Sequence, residues 1–242
     1  MTDTATAGAP ALTISDMVFR FAAKKDSFRL AIASLSLAAA GRAALVGPSG
    51  SGKSTLLGLI SGVLTPERGQ IDVLGQSLTS LSAKQRDKFR ADNLGIIFQQ
   101  FNLLPYLSVL DNVILALEFS KFKTLTPAAK TARACHFLDA LDIDVAKMAD
   151  QKVAQLSVGQ QQRVAAARAF VSAPKLIIAD EPTSALDAER QGAFLELLFS
   201  QQKNTAAALL MVTHDPRIAC QFERVIDLQQ VSDVQPVAKD LV

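Results

Sequence analysis

The residues best suited to chemistry in this sequence are Gly47-Pro48-Ser49-Gly50-Ser51-Gly52-Lys53-Ser54-Thr55. They match the G-x-x-x-x-G-K-S/T pattern in full, between an apolar run and a helix-spaced run. Glycines let successive backbone N–H groups converge on a phosphate without intervening side chains. A helix that follows aims its free N–H groups and dipole at the same anion. Lys53 is placed to reach the outer phosphates, and the Ser54 hydroxyl to ligate Mg²⁺. A second feature is Leu176-Ile177-Ile178-Ala179, an unbroken apolar run ending in Asp180-Glu181. Such a run reads as a parallel strand buried on both faces, and ligands of open α/β sheets sit at the C-terminal ends of those strands. Asp180 there suits Mg²⁺, directly or through water, and Glu181 suits polarisation of a water attacking a γ-phosphate. Either feature alone could be an ordinary turn or a solvated strand end. Together they point to nucleotide hydrolysis.

The elements that must position these groups follow from hydrophobic spacing. Alternation through Leu12, Ile14, Phe19, Phe21, Phe28, Leu30 and Ile32 predicts short antiparallel strands. Ala43–Val46, Ile71–Leu74, Leu94–Phe98, Leu176–Ala179, Ala207–Val212 and Val225–Leu228 read as further strands. Helical spacing covers Lys53–Ser61, Ala83–Ala91, Val109–Phe119, Pro127–Leu141, Gly159–Val171 and Ala188–Gln201. Strands alternating with helices predict an α/β fold with a parallel sheet and flanking helices. The helix-only stretch, about residues 105–173, reads as an inserted α-helical subdomain.

The segment Leu156-Ser157-Val158-Gly159-Gln160-Gln161-Gln162-Arg163 resembles the LSGGQ signature of ATP-binding cassette (ABC) proteins, with Val158 in place of the first glycine. Other pieces fall in that family's order. Gln99, in Ile96-Ile97-Phe98-Gln99-Gln100, looks like the Q-loop glutamine, and Ser184-Ala185-Leu186-Asp187 like the D-loop. His214, in Val212-Thr213-His214-Asp215, looks like the switch histidine. Phe21 resembles the aromatic residue that stacks on adenine, with Phe19 the weaker candidate. The resemblance spans about residues 11–230. It implies a P-loop NTPase mixed sheet, an N-terminal antiparallel β subdomain and the helical insertion. On that basis residues 11–242 form a single nucleotide-binding domain, preceded by a disordered stretch at 1–10.

The resemblance also implies an ATPase that uses ATP and Mg²⁺. Glu181, His214 and Gln99 take catalytic roles, and Ser54, Gln99 and Asp180 face the metal. Phe21, the loop from Gly47 to Thr55, Ser157, Gly159 and Gln160 take the nucleotide. Two cassettes are implied to pair head to tail around two ATPs, so each signature serves the opposite copy. Ser157 and Gly159 open a predicted helix, whose N–H groups suit a γ-phosphate. Val158 raises a point of conformation. A β-branched residue resists positive φ, so the turn is expected in an ordinary φ region, or the loop differs slightly. Arg163 reads equally as a support for the signature or a surface arginine, and His136 as a structural helix residue.

The wording of Phe98–Pro105 and Ala179–Asp187 is similar to cassettes of the lipoprotein-release and macrolide-export group. That likeness implies a membrane permease partner and mechanical work of the extruder type. The apolar segment Phe101–Leu110 would form the groove for a coupling helix of that permease, with Tyr106 and Leu107 exposed. A related cassette that signals to cell-wall enzymes without transport fits the same motifs, as does an importer. A member acting on ribosomes or DNA fits less well, because neither a second cassette nor a long coiled coil is present.

Composition sets outer bounds. The formal charge of +2 over 242 residues gives no ground for nucleic acid or an anionic membrane surface as partner. The most apolar stretches, around Leu30–Gly47 and Val164–Ala179, are broken by Arg42, and by Arg168, Pro174 and Lys175, so neither spans a membrane. No signal peptide is evident, which predicts a cytoplasmic protein held peripherally at the membrane by its permease. Cys135 and Cys220 lie far apart and read as free, mostly buried thiols.

Overall fold

The computed structural model describes residues 9–21 and 28–235. Residues 1–8 of the stretch expected to be disordered, and residues 236–242, lie outside the described residues. In chain order the elements begin with β1 (Leu12–Arg20), β2 (Arg29–Leu37), β3 (Arg42–Val46), α1 (Lys53–Ile60), β4 (Arg68–Val73), β5 (Gln76–Ser77), α2 (Ala83–Asn93) and β6 (Leu94–Ile97). Helices α3 (Val109–Phe119), α4 (Pro127–Ala140), α5 (Val145–Met148) and α6 (Val158–Phe170) come next, then β7 (Leu176–Asp180). The chain closes with α7 (Ala188–Thr205), β8 (Ala208–Val212), α8 (Pro216–Ala219), β9 (Arg224–Asp227), α9 (Leu228–Val231) and β10 (Ser232–Gln235). Helices and strands expected from spacing are present with ends shifted by a few residues. The short elements β5, α5, α8, α9 and β10 were not expected, because two to four residues are too few to display a period.

The chain forms two compact units, Met1–Asp87 with Leu210–Val242, and Lys88–Leu209. In the first, an antiparallel sheet has the order β10-β2-β1-β4-β5. Apolar cross-strand pairs Leu12–Leu37, Ile14–Leu35 and Phe19–Leu30 tie β1 to β2. The alternation of β1 breaks at Asp16, which turns to φ 48° where the register with β4 shifts. The same unit holds the parallel pair β3–β9, with the end of β8 beside β3. Helix α1 buries Leu56, Leu57, Leu59 and Ile60.

In the second unit β6 and β7 pair in parallel, Leu94 with Leu176 through Ile97 with Ala179. Leu176 to Ala179 are all buried, as a strand covered on both faces requires. Helix α6 packs on α3, α4 and β6. It lies so close to β6 that a Cβ on Gly95 would stand 2.4 Å from the Ala169 carbonyl oxygen, so only glycine fits there. Side chains meet part of the first turn of α6 and the carbonyls beyond its last. At its start Ser157 and Gln160 form a reciprocal capping box. Beyond its end the Arg133 Nε donates to the Val171 carbonyl at 2.5 Å and the Lys121 Nζ to the Ala173 carbonyl at 3.1 Å, putting cations at the negative end of the dipole. Arg133 also lies 4.3 Å over the Phe122 ring, and Phe137 stacks on Phe170.

The fully buried Asn112 of α3 fastens the loop in front of it. Its Oδ1 accepts from the Leu104 N–H at 2.8 Å, and its Nδ2 donates to the carbonyls of Leu104 at 3.1 Å and Ser108 at 2.9 Å. Replacing it strands those backbone groups. Asn112→Ala is expected to destabilise the protein by about 2–4 kcal/mol in urea unfolding, whereas a surface Asn→Ala change costs well under that.

Candidate functional site

The first unit carries the phosphate loop. It runs from the end of β3 into α1, as the spacing predicted, and Gly47, Gly50 and Gly52 all take positive φ (152°, 80° and 96°). Gly52 caps α1 in the left-handed conformation and no side chain caps it, so the first amides of α1 are open toward the loop. A Cβ at Gly52 would press on the Phe28 ring at 3.1 Å, and one at Gly47 would come within 2.9 Å of the Ser51 Oγ. The cradle is therefore bare backbone. Lys53 bends back over it, its Nζ donating to the carbonyls of Gly47 at 2.8 Å and Pro48 at 3.0 Å. Ser51 is buried and its Oγ has no hydrogen-bond partner among the described residues. A buried unmet polar atom, a glycine cradle and a lysine at its mouth fit a polyphosphate.

His214 belongs to the same unit. It follows β8, the strand beside β3, and the Thr213 N–H donates to the Leu45 carbonyl at 3.2 Å. Its ring is exposed, and the neighbouring Asp215 caps α8. Hydrogen bonds from Arg217 hold the Asp215 carboxyl down to about 2, so it stays anionic beside His214 throughout the working pH range. Phe21 is 62% exposed and rests edge-on against Phe19 at 4.9 Å. Phe19 itself is buried, which leaves Phe21 as the ring offered to a ligand.

The second unit carries the acidic pair and the signature. Asp180 ends β7 and Glu181 follows, both half-buried. Glu181 is held at φ 43°, a left-handed conformation that costs a non-glycine residue ~1–3 kcal/mol. The turn is fixed by the Ser184 N–H on the Glu181 carbonyl at 3.2 Å, and by the Gln191 Nε2 on the carbonyls of Thr183 at 3.1 Å and Leu186 at 3.2 Å. Gln99 lies two residues past β6, the parallel neighbour of β7, and is exposed. Within this unit Gln99 and the acidic pair thus leave the same ends of adjacent strands.

Ser157, exposed, caps α6. Its Oγ accepts from the Gln160 N–H at 3.3 Å, while the Gln160 Oε1 accepts from the Ser157 N–H at 2.9 Å. The amides of Val158 and Gly159, first in the helix, have no intrahelical acceptor. Val158 sits in the first helical position with right-handed backbone and its side chain is 46% exposed. The departure from glycine is thus accommodated without strain. Arg163 is committed to Asp142, bonding both its carboxylate and its carbonyl. Gln162 went unnoticed in the sequence. It is fully buried, neither amide atom has a partner among the described residues, and it lines a cavity of about 240 Å³ with Ser157, Leu186 and Phe194.

Comparison with known proteins decides the family. Residues 30–184 match the family model described as ABC transporter. The chain belongs to the ABC transporter family. This cassette is 40% identical over 189 residues to the lipoprotein-releasing system ATP-binding protein LolD of Pseudomonas fluorescens, covering 78% of this chain and 81% of that one. It is equally similar, 40% over 189 residues, to an uncharacterized ABC transporter ATP-binding protein of Mycobacterium tuberculosis, with 77% of this chain and 73% of that one covered. Among solved structures it superposes with TM-score 0.79 at 32% identity on the dimeric post-hydrolysis state of the ATP-binding cassette MJ0796 bound to ADP and Pi, over 89% of this chain and 93% of that one. The cassette therefore has the P-loop NTPase fold of ABC proteins, and it is an ATP-binding ATPase.

Two expectations are corrected. Leu107 of the cassette is half-buried, because its carbonyl accepts from Val153 at 3.2 Å and draws it down, whereas Tyr106 is 67% exposed. The free thiols are not buried: Cys135 is half-buried on α4 and Cys220 is exposed at the end of α8. No helix among the described residues is long and apolar enough to cross a membrane. Removing the lysine at the cradle tests its assignment. Lys53→Ala is expected to weaken ATP binding on the order of 10–100-fold in titration calorimetry, with unfolding unchanged. Val158→Gly, by contrast, is expected to alter stability by less than about 0.5 kcal/mol, since the backbone there needs no glycine.

Proposed function

We propose that this cassette is the ATPase of a transporter of the extruder or mechanotransmission type, pairing head to tail with a second copy around two ATPs and driving a membrane permease. The observation that carries the reading is the exposed start of α6, where Ser157 and the amides of Val158 and Gly159 face outward from a helix of ordinary geometry. That arrangement leaves two donors for an anion, with no acceptor for them among the described residues. The dimeric state named for the MJ0796 structure and the release system named for LolD support the pairing and the type of work. Tyr106, exposed on the apolar loop ahead of α3, supports a docking face for the permease. The protein then sits at the cytoplasmic face of the membrane, held there by that partner.

Each residue has a derived task in this scheme. Phe21 offers an exposed ring to adenine, while the amides from Gly50 to Thr55 and the Lys53 ammonium take the phosphates. Ser54, Asp180 and Gln99 present the hydroxyl, carboxylate and amide oxygens that a hard divalent ion prefers, and Mg²⁺, when bound, neutralises charge on the transferring phosphoryl group. Glu181 accepts a hydrogen bond from water and raises its nucleophilicity, and the hydrogen-bonded turn after it holds the strained residue in place. His214 supplies a further donor toward the γ-phosphate. Ser157, Gly159 and Gln160 act on the nucleotide of the opposite copy, which makes two chains necessary for one complete site. The reaction adds water across the terminal phosphoanhydride, giving ADP and phosphate.

Glu181→Gln is expected to bind ATP with near-normal affinity, to lose turnover by about 10²–10⁴-fold, and to accumulate as an ATP-dependent dimer in light scattering. Near-normal hydrolysis by that variant rules out Glu181 as the group acting on water. Hydrolysis first-order in protein down to dilutions where only monomer remains rules out the paired site. A tagged chain purified in mild detergent is expected to bring down an integral membrane protein with few spans.

A further inference from the structure

The backbone beyond Gln99 turns in an unusual way. Phe101 and Asn102 stand at φ 60° and 49°, two consecutive non-glycine residues in the left-handed region. Asparagine tolerates that conformation and phenylalanine does so rarely. Local bonds are few: the Phe101 N–H reaches the Phe98 carbonyl at 3.0 Å and the Asn102 N–H the Gln100 carbonyl at 2.6 Å. Consecutive residues of helical twist send their carbonyls in a common direction, and here a single side chain meets both. The Arg168 Nη2 donates to the Phe101 carbonyl at 2.5 Å and its Nη1 to the Asn102 carbonyl at 2.7 Å.

Arg168 lies in the run Ala165-Ala166-Ala167-Arg168-Ala169-Phe170 near the end of α6, the helix that Ser157 caps. Burial pulls the guanidinium below its usual pKa. A charge kept half-buried with no carboxylate partner among the described residues, and with both donor arms on two adjacent carbonyls, is a geometric clamp. The loop is fastened independently on its far side, where Asn112 holds Leu104 and Ser108. Phe101, itself buried, anchors the middle.

We infer that Arg168 is a positioning residue for Gln99: by gripping the carbonyls of Phe101 and Asn102 it holds the strained turn behind Gln99 and ties that turn to the helix that carries the signature. The inference rests on the reading of Gln99 given above. Gln99 has one residue, Gln100, between itself and the held pair, so its direction follows the turn. Releasing the turn lets Phe101 and Asn102 relax to ordinary φ, which swings Gln99 and detaches it from any movement of α6.

The test compares Arg168→Met, Arg168→Lys and Gln99→Ala in the full chain. Hydrogen exchange at the amides of Phe101, Asn102 and Leu104 reports the turn directly. Arg168→Met is expected to speed exchange across 98–104 by roughly ten-fold or more, with residues 158–167 unaffected. Its kcat is expected to fall about as far as that of Gln99→Ala, with KM for ATP little changed and the KM for Mg²⁺ raised in both. The double variant is expected to lose little more than either single one, because both changes remove one device. Arg168→Lys keeps the charge but reaches one carbonyl at a time, and is expected to lie between wild type and Arg168→Met; it also serves if Arg168→Met does not fold. Wild-type exchange across 98–104 in these Arg168 variants overturns the inference, as do losses that multiply in the double variant. If Gln99→Ala hydrolyses ATP at the wild-type rate, the reading of Gln99 fails and the positioning role falls with it. A slow Gln99→Ala with unchanged exchange in Arg168→Met sinks the Arg168 inference alone.

Discussion

A helix leaves amides without acceptors at its start and carbonyls without donors at its end. In the second unit, α6 meets that constraint differently at its two ends, and much of the surrounding structure follows. The carbonyls just beyond its end, of Val171 and Ala173, are taken by Arg133 and Lys121 from neighbouring segments, which fixes α4 and the α3–α4 connection against it. Its first turn receives only a capping box, and that box consumes one amide while leaving two. Closing one end with cations and leaving the other with donors makes the helix a rigid holder of an anion-seeking tip. The small residues Ala165, Ala166, Ala167 and Ala169 keep its flank thin enough for β6 to touch it at Gly95.

The phosphate loop and the turns after β6 and β7 reach tight backbone by different routes. In the first, Gly47, Gly50 and Gly52 turn freely, so the phosphate loop needs little outside help to hold its shape. In the second, Phe101, Asn102 and Glu181 adopt comparable angles with side chains attached. Those turns persist because Arg168 donates to the Phe101 and Asn102 carbonyls, while Asn112 and Gln191 hold carbonyls a few residues further along, those of Leu104 and Thr183 among them. The first kind of turn is written into residue type. The second depends on contacts distant in sequence.

That difference explains what could be read without a structure. The loop Gly47–Thr55, the buried strand before Asp180 and the opening of α6 each announce themselves through composition within about ten residues. The antiparallel strands also showed, because Leu12, Ile14 and their partners on β2 alternate cleanly. Arg168 did not, since an arginine in an alanine-rich helix looks the same whether it faces water or a carbonyl pair 66 residues away. Gln162 and Asn112 were hidden for a similar reason: a polar residue on a buried face is visible only once the face is known. Val158 went the other way. Residue type alone raised a conflict with positive φ, and its place as the first residue of a helix removes it.

Lys53 has one more consequence. With its ammonium on the carbonyls of Gly47 and Pro48, the lysine is already held by two neutral acceptors of its own loop. A phosphate therefore enters by exchange: the lysine gives up two neutral oxygens for charged ones, and the loop need not be built from a floppy precursor. Such a swap sets a threshold. Water and neutral solutes, whose oxygens are no better acceptors than the carbonyls already in place, leave the lysine where it is, and only a strongly anionic guest outbids them.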